Sequence, residues 1–160
     1  MKSGGPLKHF LLTFIIALVC YAVFYPAIEN RRTRKGPWLV RFTRATSGDP
    51  ALVIDQPLLA ITNVQIVFAD ETFPTSNTVR SLSFDQPKPV PYEVPFGQCL
   101  FMDTTFLPGT VTFRLYGHEI ELIPRVLMID HQERPWLTDA VITLHSEHDS
   151  PAKPVSSTQP

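Results

Sequence analysis

From Phe10 to Ile28 the chain runs for nineteen residues without a charged side chain, FLLTFIIALVCYAVFYPAI. At about 1.5 Å of rise per residue, a helix of that length spans about 28 Å, close to the roughly 30 Å hydrocarbon core of a bilayer. The run is apolar on every side, which separates it from a helix that lies along a membrane surface. Tyr21 and Tyr25 are of the type that settles at a membrane–water interface, and Pro26 falls near the end, where it costs little. The sequence therefore predicts a single transmembrane helix over 10–28, a signal anchor behind a short polar tail at 1–9.

Two other readings meet the same run. A buried core helix can be this apolar, but a nineteen-residue uncharged stretch beside a basic collar is rare in a small soluble domain. A cleaved signal peptide would use Lys2 and Lys8 as its basic start. Its cleavage site is poor, because Cys20-Tyr21-Ala22 is the nearest small-x-small match and the apolar run continues past it. Val19 ahead of Cys20 is branched where a lipoprotein signal wants a small residue.

Charge is unevenly placed. Residues 1–35 hold six basic groups, Lys2, Lys8, Arg31, Arg32, Arg34 and Lys35, against Glu29 alone. The remainder holds eight basic against fourteen acidic residues. An acidic domain without a basic stripe excludes nucleic acid as the expected partner. The collar at 29–36, with Arg31, Arg32, Arg34 and Lys35, sits where anionic headgroups would attract it. The same collar, read by the positive-inside rule, puts the rest of the chain in the cytoplasm. A short tail ahead of the span and a large domain behind it favour export, and the expectation leans that way.

From Pro37 the hydrophobic period changes to two. Trp38, Val40 and Phe42 alternate with Leu39, Arg41 and Thr43, the pattern of a strand with one apolar face. Gly48-Asp49-Pro50 marks a turn, and strands follow around Leu52 and Ile54, Ile61 to Ala69, and Leu82 and Phe84. Pro87, Pro89, Pro91 and Pro95 favour an extended crossing between sheets rather than a ligand for proline-recognising domains. Val111, Phe113 and Leu115 face Ile120 and Leu122 across a hairpin, whose turn is expected at Gly117-His118 as type II′. Further apolar runs lie at Cys99–Phe106, Val126–Ile129 and Val141–Leu144. Sixteen prolines fit such a chain better than a helical bundle. The expected fold is mainly β: an antiparallel β-sandwich or partly open barrel over 37–145. A polar tail at 146–160 is expected to stay disordered.

Candidate sites are few. Histidines and carboxylates gather late in the chain, at His118, Glu119 and Glu121, at Asp130, His131 and Glu133, and at His145, Glu147 and His148. His118, Glu119, His131 and Glu133 are the weak candidates for metal ligands, since imidazole and carboxylate at short spacing can hold zinc. The bland explanation is that polar residues collect in turns, and no helix or knuckle spacing makes the motif specific. Cys99 with a histidine could form a nucleophile and base, but a lone cysteine in Cys99-Leu100-Phe101-Met102 reads as core. Trp38 and Trp136 could stack on sugars if exposed, or fill the core. No cofactor motif is present.

The functional expectation is a non-catalytic, membrane-anchored protein-interaction or assembly module. Its partners would be the lipid bilayer and another membrane or envelope protein. The alternatives are a metal-dependent or hydrolytic envelope enzyme using the His/Glu loops, and a sugar- or lipid-binding module using the aromatics.

Overall fold

A computed structural model describes residues 6–73 and 79–145. The start of the expected N-terminal tail, the expected disordered tail at 146–160, and Glu147 and His148 with it, lie outside the described residues.

Helix α1 spans Pro6–Thr33, 28 residues, so it extends beyond the uncharged run at both ends and contains Pro26. It is long and apolar enough to cross a membrane, with a mean hydropathy of 2.3, and none of its apolar window is buried against the rest of the chain. The collar does not interrupt it. Arg31 and Arg32 lie in its last turn, where cations oppose the negative helix end. Arg32 also sits 3.5 Å from Glu29 one turn back. Gly36, with φ +69°, then ends the turn, and its N–H donates to the Thr33 carbonyl at 2.9 Å. The basic stretch is thus the last helical turn followed by a tight exit.

Among the described residues eleven strands follow, in two sheets. The first contains β1 (Leu39–Arg44), β2 (Pro50–Gln56), β3 (Ile61–Ala69), β4 (Arg80–Ser83) and β11 (Val141–His145), in the order β11-β3-β2-β1-β4. The second is a meander of β5 (Tyr92–Val94), β6 (Gly97–Met102), β7 (Val111–Leu115), β8 (His118–Ile123), β9 (Val126–Ile129) and β10 (Gln132–Arg134). The sheets do not join into a closed barrel, and the fold is a β-sandwich rich in antiparallel pairs. One pair departs from that rule: β11 lies parallel to β3, Ile142 opposite Ile66. The short crossing at 135–140 delivers the chain to the end of the sandwich where β3 begins, so β11 can only run the same way.

Alternation explains the core. Trp38, Val40 and Phe42 are buried from the first sheet, as their period predicts. Leu52, Ile54, Ile66 and Phe68 join them, and Phe113, Leu115, Ile120, Leu122, Leu127 and Ile129 close the layer from the second sheet. Each such side chain stabilises the fold by about 1.5–3 kcal/mol through removal of apolar area from water. The proline-rich stretch carries the chain from β4, at one sheet's edge, to β5 at the other's, and residues 85–91 are exposed.

The β7–β8 turn differs from expectation. Leu115 pairs with His118, so the loop is Tyr116-Gly117, with φ +48° and +87°. Two positive φ angles make it type I′ rather than II′. Apolar alternation fits either register, because the two differ by a two-residue slide. Tyr116 decides between them: its ring stacks on Phe96 at 5.5 Å and packs beside Phe68 at 5.2 Å.

Candidate functional site

The strand directions sort the loops into two groups. Segments 57–60, 84–91, 103–110, 124–125 and 135–140 lie at the end of the sandwich nearest α1, and 45–49, 95–96, 116–117 and 130–131 lie at the far end.

At the near end the domain clasps the helix. The Leu107 N–H donates to the Arg32 carbonyl at 2.7 Å, satisfying one of the acceptors a helix leaves unpaired at its C-terminus. Gln56, 1% exposed, holds the exit from the helix. Its Nε2 donates to the carbonyls of Gly36 at 3.0 Å and Pro37 at 2.7 Å, and its Oε1 accepts from the Leu58 N–H at 3.1 Å. Trp38 is fully buried, its indole N–H donating to the Gly109 carbonyl at 2.8 Å. Trp136 packs on it at 5.2 Å and donates to the Ile123 carbonyl at 2.9 Å. Both tryptophans therefore seal the sandwich, and the sugar-stacking reading loses Trp38 outright.

Loop 103–110 is shaped tightly. A side chain at Gly109 would overlap the Asp103 carbonyl oxygen, so only glycine fits. The Asp103 carboxylate accepts from the Thr105 N–H at 2.8 Å, which holds its carboxyl below the usual range. This loop presents Phe106, 57% exposed, beside the collar. Arg31, Arg34 and Lys35 from the helix end, with Phe106, Leu107, Pro108 and Pro124 from the domain, line a cavity of about 510 Å³. Tyr25 lies six residues before Arg31, about 9 Å along the helix. Tyr21 stacks on Tyr25 at 5.3 Å, and both are exposed. The six interface candidates thus occupy one end of α1 and its exit, Arg32 differing from the other cations in pairing with Glu29.

At the far end the metal candidates separate. Neighbouring strand residues face opposite sides, so His118 and Glu119 cannot share a site. His118 points inward, 8% exposed. Its Nδ1 lies 2.8 Å from the Asp130 carboxylate and its Nε2 3.2 Å from the His145 carbonyl of the other sheet. Both nitrogens are engaged, which removes His118 from any ligand set. The outer face instead brings together Glu119, Glu121 and His131, with ligand atoms within 4.8 Å of one another. Glu133 is not in that group; it sits on β10 opposite Met128. The trio has an open side, and Arg114 lies 3.8 Å from Glu119 as a competing cation.

Cys99 is fully buried, and burial pushes its thiol pKa up. Its hydrogen-bonding neighbours are Tyr92 and the Phe101 carbonyl, not a histidine. That environment belongs to core packing and gives the thiol no base.

Sequence reasoning missed Gln56, Phe106, Leu107, Gly109 and Pro124. Only Pro108-Gly109 carried a local signal, a chain break, because the others matter through contacts made across the fold.

Together these features define a class: a β-sandwich hydrogen-bonded to the end of an apolar helix whose apolar stretch is not buried among the described residues. Comparison with known proteins adds no family to that class, since no family model, no curated protein and no solved structure matches the chain.

Proposed function

We propose that this chain is a single-pass membrane protein whose helix anchors a non-catalytic β-sandwich close to the bilayer, as a protein-interaction or assembly module. The observation that carries the reading is α1 itself. Phe10, Leu12, Phe14, Ile16, Val23 and Phe24 are each more than half exposed, although apolar side chains of that size stabilise a fold only when removed from water. Lipid supplies the missing partner. The basic collar follows at the depth of the headgroups, and the clasp at Arg32, Gln56 and Trp38 fixes the sandwich there.

The interaction role rests on the edges. β4 and β11 bound one sheet, β5 and β10 the other, and each edge offers unpaired backbone groups that a strand of another membrane or envelope protein can meet. The sandwich is proposed to lie on the exported side of the membrane.

Alkaline washing of membranes containing the full chain tests the anchor, and protease protection in the same membranes tests the side. The expected result is an uncleaved chain that stays in the washed pellet, with the domain outside the cytoplasm. Release of the chain, or a mature mass lacking the helix, removes the anchor reading.

A further inference from the structure

The cavity between the collar and the domain has two walls of different chemistry. One carries the cationic side chains of Arg31, Arg34 and Lys35, all exposed and none of them in an ion pair among the described residues. The other is Phe106, Leu107, Pro108 and Pro124. A second, almost wholly apolar groove runs along α1, lined by Phe24, Ala27, Ile28 and Arg31. Arg31 belongs to both. The two spaces therefore share the Arg31 side chain, the cationic one lying towards the domain and the apolar one towards the middle of the helix.

That layout matches one molecule. A guanidinium takes a phosphate oxygen pair in a bidentate fork, and a lysine adds a point charge. An apolar channel leading away from the charge suits an acyl chain. A soluble anion would fill only the first space. We propose that this joint is a binding site for one anionic phospholipid, its phosphate on Arg31, Arg34 and Lys35, its glycerol against Phe106 and Pro124, and one acyl chain along Phe24, Ala27 and Ile28. The proposal rests on the anchor reading, because the apolar groove meets lipid only if α1 lies in a bilayer. It goes further by assigning a lipid class and a stoichiometry, which a bare basic collar would not have.

The site also has a structural consequence. Leu107 is both a wall of the cavity and the donor to the Arg32 carbonyl. A lipid seated there braces the contact between helix and sandwich, so its occupancy sets how firmly the domain is held.

The full chain, purified in mild detergent, tests this by native mass spectrometry with phosphatidylglycerol and phosphatidylcholine. The expected result is one phosphatidylglycerol per chain, bound about tenfold more tightly than phosphatidylcholine. Arg31→Gln, Arg34→Gln and Lys35→Gln together bring the two lipids within about twofold of each other. Phe106→Ser keeps every charge, and is expected to weaken phosphatidylglycerol at least about threefold. Inorganic phosphate at about 10 mM leaves the lipid bound, because it offers nothing to the apolar groove. Equal binding of the two lipids, or a preference that survives the triple substitution, overturns the site. A Phe106→Ser variant with undiminished preference assigns the effect to the collar alone, and displacement by phosphate assigns the cavity to a soluble anion; either overturns it. In parallel, the alkaline membrane wash separates the two readings: a retained chain without lipid preference sinks this inference only, whereas a released chain sinks the anchor as well.

Discussion

Near α1 the two sheets are closed by indoles. Trp38, fully buried, and the half-buried Trp136 pack with tilted rings 5.2 Å apart, and their N–H groups reach the Gly109 and Ile123 carbonyls. At the far end aromatic rings do the same, Tyr116 stacking on Phe96 at 5.5 Å with Phe68 and Phe73 beside them, and polar side chains add a second link: His118 spans from Asp130 to the His145 carbonyl, and Asp70 lies 3.4 Å from His145 at the surface. The first arrangement combines large apolar area with two part-buried hydrogen bonds. In the second only the His145–Asp70 pair is fully solvated, and such exposed pairs contribute little. The near end therefore hangs on two buried or half-buried indoles, whereas the far end joins an aromatic cluster to a polar link that is open to solvent on the Asp130 side.

The largest break in that comparison comes from Trp38→Ala. It removes a fully buried indole and strands the Gly109 carbonyl, and is expected to cost about 3–5 kcal/mol, seen as a drop in the melting temperature of the full chain in detergent. Gln56→Leu comes next. It keeps the volume but leaves two inward carbonyls and one N–H without partners, for an expected loss of about 2–4 kcal/mol in the same melt. At the far end His118→Leu is expected to cost only about 1 kcal/mol, because Asp130 stays partly exposed and keeps its bond to the Glu119 N–H. A loss at His118 equal to that at Trp38 would erase the distinction between the ends.

The smallest expected effect is a pH response confined to loop 103–110. Asp103 has its pKa lowered by the Thr105 hydrogen bonds, so its contribution is present above the unfolded value of about 3.9 and is lost as pH falls through the lower folded value. Its carboxylate is exposed, so the change stays local. The Thr105 amide resonance should hold steady from pH 7 to about 5 and shift only at lower pH. A midpoint at or above the ordinary carboxylate value would mean that the hydrogen bond is not made.

The sandwich was legible because its signals are local. Trp38, Val40 and Phe42, and later Val111, Phe113 and Leu115, keep a strict period of two, and the uncharged run from Phe10 needs no partner to be recognised. Where pairing matters, sequence alone ran out. Alternation could not distinguish the two registers of the β7–β8 hairpin, and the parallel seat of β11 depends on where the preceding loop starts. The candidate metal ligands show the same limit. His118 and Glu119 are adjacent in sequence but lie on opposite faces, while Glu121 joins His131 only through the β8–β9–β10 meander. The collar's charges were plain, yet the cavity they border is built by Phe106 and Pro124 from two distant turns. Nothing in either residue's neighbourhood announces that role.

The two ends can be compared directly by depth. Nitroxide labels placed at Phe106→Cys and, separately, at His131→Cys, in a Cys20→Ser background of the full chain in anionic vesicles, would report their accessibility to oxygen and to a water-soluble nickel chelate. A label at 106 is expected in the headgroup layer, shielded from the chelate, and a label at 131 fully in water. Equal chelate access at both positions would contradict it, because the sandwich would then stand free of the bilayer.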